Sequence, residues 1–162
     1  MYPLYVLTNK ETPMNVWIDA ECGELQPNGK VKAKLGNGLC FRPGWHCADI
    51  PLAAHIGKNI NGELMQRSDE VWREVMYSDS INYQDIANKN GTNKNGRIVP
   101  VKSYLRYIPV DGFYRYKTNP KRLGPWIITG AIKVVKILTN DEVDSICKSH
   151  GFEPQRRVSN YG

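Results

Sequence analysis

No apolar run in this 162-residue chain approaches the ~20 residues that a membrane span requires, and no charged-then-apolar segment opens it. Membrane and secreted readings are set aside on that ground. Cys-x-x-Cys pairs are missing too. Cys22, Cys40, Cys47 and Cys147 are spaced irregularly and fit no zinc-finger or zinc-ribbon template, so disulfides are not expected in what reads as a reduced cytoplasmic protein. Cys40, His46, Cys47, Asp49 and His55 crowd metal-capable atoms into one stretch, but among strand-like neighbours and without a ligand pattern, so neither a metal nor a cofactor is expected. The chain has no G-x-S-x-G, no P-loop, no dinucleotide-binding glycine fingerprint and no H-E-x-x-H. The usual serine hydrolases, nucleoside triphosphatases and zincins are thereby excluded. There is no internal repeat and no interdomain linker. A single globular domain is expected over residues 1–154, with residues 155–162 as a frayed tail. With 41% hydrophobic and 23% charged residues the chain can build a core.

Acidic residues are scarce in one place. Residues 1–87 hold 8 Lys or Arg against 11 Asp or Glu, residues 88–122 hold 9 against 1, and residues 123–162 hold 5 against 4. The net charge of +6 is therefore a mildly acidic body plus one basic band: Lys89, Lys94, Arg97, Lys102, Arg106, Arg115, Lys117, Lys121 and Arg122. Such a band suits a partner or substrate bearing phosphates, or else a solvated face that only keeps the chain soluble.

The pattern reads strand-rich. Residues 3–7 (PLYVL) suit a buried strand, and residues 31–35 alternate before a Gly36-Asn37-Gly38 turn, which predicts a hairpin with residues 39–42. Residues 71–77 (VWREVMY) favour strand over helix. Residues 99–108 and 113–117 flank a Pro109-Val110-Asp111-Gly112 turn and predict a second hairpin. Residues 126–138 (WIITGAIKVVKIL) exceed one straight strand, and Gly130 is the expected bend. Helices are few. Thr139 and Glu142 have capping-box spacing, with a helix to follow and Gly151 to close it. Short helices are expected from residue 49 or 50 through Ile56 and around residues 83–87, and residues 88–96 (NKNGTNKNG) read as a mobile loop. The fold class is α+β: a curved, mostly antiparallel sheet of six or more strands with a few short helices, one of them C-terminal.

Two stretches could carry chemistry. In the first, Pro43-Gly44 turns the chain after a strand and sets Trp45 and His46 at a sheet end. His46 exchanges a proton near neutral pH, Asp49 is near enough in sequence to orient its ring, His55 follows, and Arg42 offers a planar fork for phosphate. The bland alternative makes Trp45 a core anchor, His46 a backbone-bonded side chain and Asp49 a helix cap. In the second, Tyr114 and Tyr116 share one face of a strand while Phe113, Arg115 and Lys117 share the other, and Lys102, Tyr104 and Arg106 repeat the alternation upstream. Paired, these strands would present Lys102, Arg106, Arg115 and Lys117 as a cationic patch, with Tyr114 to stack a base. Glu74, flanked by Trp72 and Met76, is the carboxylate best placed for partial burial.

Residues 17–20 (WIDA), 30–36 (KVKAKLG), 41–46 (FRPGWH), 111–119 (DGFYRYKTN) and the strand over 126–138 occur together and in order. As a set they resemble an uncharacterised domain found in very long (polyvalent) proteins of phages and other mobile elements, and in small standalone phage proteins. The resemblance covers roughly residues 3–138. It implies an origin in a phage or mobile element and a cytoplasmic site of action in a bacterial host. A weaker similarity, carried by residues 4–8 (LYVLT), 38–41 (GLCF), 53–55 (AAH) and 132–134 (IKV), points to ADP-ribosyltransferases. It implies an NAD-binding enzyme, although the first strand lacks that family's His or Arg and no Glu stands near Trp126; Glu74 is then the carboxylate to nominate.

Three functions follow as expectations. The leading one is a metal-independent nuclease. His46 and His55 share base and acid roles, Arg42, Arg115 and Lys117 stabilise the transition state, Trp45, Lys102 and Arg106 complete the substrate surface, and Tyr114 positions a base. The second is an ADP-ribosyltransferase-like enzyme using NAD, and the third a non-enzymatic viral inhibitor or nucleic-acid- or protein-binding module. The expected partner is nucleic acid or a nucleotide, with a host protein as the other candidate and no membrane.

Overall fold

β-branched and aromatic residues favour the pleated backbone, and glycine and proline cut the strands they form short. The computed structural model describes residues 2–3, 13–22, 24, 26–28, 31–32, 39–40, 42–53, 58–67, 70–117 and 126–158. Its strands are β1 (Tyr2–Pro3), β2 (Trp17–Asp19), β3 (Val31–Lys32), β4 (Leu39–Cys40), β5 (Trp45–Ala48), β6 (Lys58–Ile60), β7 (Glu63–Arg67), β8 (Arg73–Tyr77), β9 (Ile81–Asn82), β10 (Gly112–Tyr116), β11 (Trp126–Thr129), β12 (Ala131–Ile137) and β13 (Arg157–Val158). The helices are α1 (Gln84–Asn90) and α2 (Asn140–Ser149), and Pro100–Lys102 forms a 3₁₀ turn. The molecule is α+β, mostly antiparallel, with a C-terminal helix, as the sequence predicts. The sheet orders are β1-β5-β11-β10-β9, β2-β12-β8, β13-β7-β6 and β3-β4. Among the described residues no helix is long and apolar enough to cross a membrane.

Gly130 joins the two main sheets. β11 lies between β5 and β10 in one sheet, and after Gly130 the same run continues as β12 between β2 and β8 in another. A side chain at this bend would meet backbone, since a Cβ on Gly130 would lie 2.4 Å from the Pro109 carbonyl oxygen. The expected bend is therefore present for a steric reason. Between the two sheets Cys47, Val75, Ile127, Ile132 and Val134 are buried together, with Trp45 and Phe113 packed against them. The other face of the five-stranded sheet carries Tyr114 and Ile128, which pack with Leu105 and Ala87 beneath α1.

α2 closes as its sequence dictates. The Thr139 hydroxyl accepts from the Glu142 amide at 3.2 Å, and the Glu142 carboxylate reaches back to the Thr139 amide. At the far end the Phe152 amide bonds Cys147 and the Gly151 amide bonds Lys148, the paired bonds of a Schellman turn, and Phe152 packs on the core cluster containing Val143 and Cys147.

Residues 71–77 are strand rather than helix from Arg73 onward, and β3 pairs with β4 as the first predicted hairpin requires. Four expectations are corrected. Residues 49–53 are not helical: Ile50 precedes Pro51, which disfavours the helical region, and Leu52 bonds back to Ile50. Residues 99–108 do not pair with β10, whose two edges are already taken by β11 and β9; Pro100 opens the 3₁₀ turn instead. Residues 88–96 are not a bare loop: the helix runs to Asn90, and the Asn93 side chain then accepts from the Asn95 and Arg97 amides. The tail is held over residues 155–158, where β13 pairs with β7 and Arg157 bonds Asp144 at 2.7 Å.

Candidate functional site

The turn before β5 places its side chains. Gly44 has φ +136°, a conformation L side chains rarely adopt, and a Cβ there would lie 2.7 Å from an Ile128 methyl carbon. Alternation along β5 then sends Trp45 and His46 to opposite faces. Trp45 packs on the buried cluster between the sheets, and its indole N–H donates to the Ile18 carbonyl at 3.0 Å. It anchors one sheet to the other. His46 lies opposite Ile128, with Nδ1 3.2 Å from the Gly44 carbonyl. That carbonyl only accepts, so the neutral ring carries its proton on Nδ1. Tyr116 meets the ring edge-on at 6.2 Å. Arg42 stacks on Tyr116 at 3.9 Å and donates through Nε to the Ser103 carbonyl at 2.8 Å and through Nη2 to Val101.

Arg42, His46 and Tyr116 thus come together, but as a latch between the start of β5 and residues 101–103. Burial lowers the His46 pKa to about 4; its bond to Gly44 opposes this and the nearby Arg42 charge adds to it. At neutral pH such a ring has no proton to give and is a weak base. His55 lies outside the described residues.

β10 divides its residues between two faces. Tyr114 is buried, and its hydroxyl accepts from the Leu105 amide at 3.3 Å. Burial pushes its phenol above the ordinary range, and in this position it does not reach a base, which corrects its expected role. Arg115 projects from the other face, away from His46, and pairs with Asp49 at 2.9 Å. Asp49 therefore neither orients His46 nor caps a helix. Lys117 is exposed beyond the strand end. Glu74 is half-buried in the other main sheet opposite Lys136, whose ammonium instead pairs with Glu142. The five-stranded sheet thus keeps Arg115 apart from Arg42 and His46, and Glu74 belongs to a different sheet from all three.

The thiols offer no nucleophile at neutral pH where they are buried, Cys47 being pushed up to about 12 by burial. Among the described residues no group of three His, Cys, Asp or Glu side chains could hold a metal ion.

The basic band is organised by α1. The Asn82 side chain accepts from the Gln84 amide at the head of α1. The Gln84 carboxamide in turn exchanges two hydrogen bonds with the Arg115 backbone, at 2.8 and 2.9 Å, filling the edge of β10 as a strand would. At its other end the helix is tied to residues 99–104. The Val99 amide bonds Gly91, the Tyr104 amide bonds Ala87, Asn90 donates to the Tyr104 carbonyl and Ser103 donates to the Asn88 side chain. Residues 84–107 therefore form one lobe. Lys89, Lys94, Arg97, Lys102 and Arg106 on it are all exposed, and residues 88–110 contain no Asp or Glu.

Elsewhere five cations form ion pairs, Arg67 with Glu70, Arg115 with Asp49, Lys136 with Glu142, Arg156 with Glu63 and Arg157 with Asp144, while Lys58, Lys117, Lys133 and Lys148 are in none of these. None of the five lobe cations forms an ion pair with a described residue. Lys102 and Arg106 belong to this surface, but Lys102 ends the 3₁₀ turn and Arg106 lies on irregular backbone, rather than both lying on a strand paired with Arg115. The sequence signal for the lobe was the lack of acid after residue 87. Its shape was hidden because residues 99–108 alternate like a strand. Against known proteins, the chain matches no family model, no curated protein and no solved structure.

Proposed function

We propose that this protein is a non-catalytic nucleic-acid-binding module that uses the cationic lobe of residues 84–107. The observation that carries the reading is the charge imbalance of that lobe: five exposed cations, none in an ion pair with a described residue, against the single acid Asp85, with no acid over residues 88–110. Unmatched surface cations attract a polyanion and release its counterions on contact, and five of them suffice for micromolar-range, salt-sensitive binding on the order of 10⁻⁴–10⁻⁶ M. Catalysis by His46 has less support, since its ring is held to Gly44 with a pKa of about 4 and Arg115 lies across the sheet. Action on phage or mobile-element nucleic acid in a bacterial cytoplasm is part of the same proposal and rests on the resemblance of residues 3–138.

The test is fluorescence anisotropy with a labelled oligonucleotide. The double variant Lys102→Glu/Arg106→Glu should weaken binding about tenfold or more, because each reversal removes one phosphate contact and adds a repulsion. A control reversing Lys133 and Lys148, outside the lobe, should bind as the native protein does. Equal affinity in both variants would overturn the assignment of the surface.

A further inference from the structure

We infer that the lobe takes single-stranded rather than duplex nucleic acid, with Tyr107 as the platform on which an unpaired base stacks; this rests on the nucleic-acid reading above. Tyr107 is 51% exposed, high for a tyrosine in a molecule that buries Tyr114 completely. Its position is nonetheless set. Leu105, two residues earlier, is fully buried and its amide is held by the Tyr114 hydroxyl. Tyr83 meets the Tyr107 ring edge-to-face at 6.4 Å and is itself held by its hydroxyl bond to the Val110 carbonyl. A ring supported in this way loses little rotational freedom when a base covers it.

Arg106, the residue before Tyr107, is exposed and reaches over the Tyr104 ring at 6.0 Å, so an aromatic–cation pair adjoins the stacking residue in sequence. Val110, 63% exposed and tied through its carbonyl to the Tyr83 hydroxyl, adds apolar surface that suits a base face and gains nothing from a sugar–phosphate backbone. Interleaved aromatics and cations on one surface are what sequence-tolerant single-strand binding uses. Duplex reading is disfavoured by the same lobe. α1 has only 7 residues, about two turns, and carries an acid, Asp85, in its first turn, so it is a poor candidate for a helix that reads a duplex groove. Stacking on an aromatic ring does not distinguish DNA from RNA, so the shared chemistry is an unpaired base with its flanking phosphates.

Anisotropy on three probes tests this: a single-stranded DNA, the RNA of the same sequence, and the DNA duplex. The expected result is tighter binding of at least one single strand than of the duplex. Tyr107→Ala should weaken single-strand binding roughly 5- to 100-fold, while leaving the duplex nearly unchanged. Tyr107→Phe, which keeps the ring, should bind as the native protein does and shows that loss in the alanine variant is loss of stacking. Equal affinity for duplex and single strand, with no effect of Tyr107→Ala, would overturn the single-strand inference and leave the nucleic-acid reading standing. Binding to none of the three probes would remove that reading and this inference with it.

Discussion

Replacing His46 by Gln should change how stability depends on pH more than it changes stability itself. In the folded protein the ring has a pKa of about 4, against an ordinary value of 6.5. Below 6.5 the unfolded chain takes up a proton that the folded chain refuses, so stability is full above that value and is lost as pH falls towards 4. Between about pH 7.5 and about pH 5 this one residue should cost the native protein about 2 kcal/mol. Gln has no such titration. Urea unfolding of both proteins at the two pH values supplies the measurement. The carboxylates and the other histidines contribute equally to both and cancel in the comparison. A native-minus-variant difference that does not move with pH would refute the reasoning. So would a His46 ring titrating near 6.5 by NMR, and either outcome would return His46 to contention as an acid–base catalyst.

The lobe depends on close backbone contact between Gly91 and residues 102–103. A Cβ on Gly91 would lie 2.8 Å from the Lys102 carbonyl carbon and from the Ser103 nitrogen. Gly91→Ala should cost about 1–3 kcal/mol, read as a fall of about 2–4 °C in Tm for each kcal/mol, with oligonucleotide affinity falling alongside. Tyr114→Phe leaves the buried Leu105 amide without its acceptor and should cost about 1–3 kcal/mol in denaturant unfolding, with no change of fold by circular dichroism. Thr139→Ala removes the hydroxyl that caps α2 and should cost about 1 kcal/mol by the same method. Asp49→Ala breaks a partly exposed ion pair with Arg115 and should change stability by no more than about 1 kcal/mol, unlike the loss of a buried pair.

What was legible in the sequence was local. Thr139 and Glu142 announce α2 because capping is decided within four residues, and Gly130 announces a bend because a β-branched run tolerates no other weak point. The basic band was legible from composition. Pairing partners were not, because alternation shows that a segment has two faces but not which neighbour it meets. Residues 99–108 alternate like a hairpin arm, yet β10 finds its neighbours in β11 and β9, the latter from a strand of only two residues. For the same reason Arg115 and His46, adjacent in chemistry, were separated by the sheet. The Gln84 carboxamide that completes β10 left no pattern, since one polar residue at a helix start reads as ordinary. Residues 155–158 looked like a tail because the strand that holds them, β7, lies far away in sequence.

The most direct test of the central claim is the salt dependence of oligonucleotide binding. If the five lobe cations each neutralise a phosphate on a single strand, the slope of log K against log salt approaches about −3.5, a loss of about 100-fold between about 50 and 200 mM. In the Lys102→Glu/Arg106→Glu variant the slope should be shallower by about 1.4, two contacts' worth. A slope near zero, or one that the variant shares with the native protein, would contradict the account.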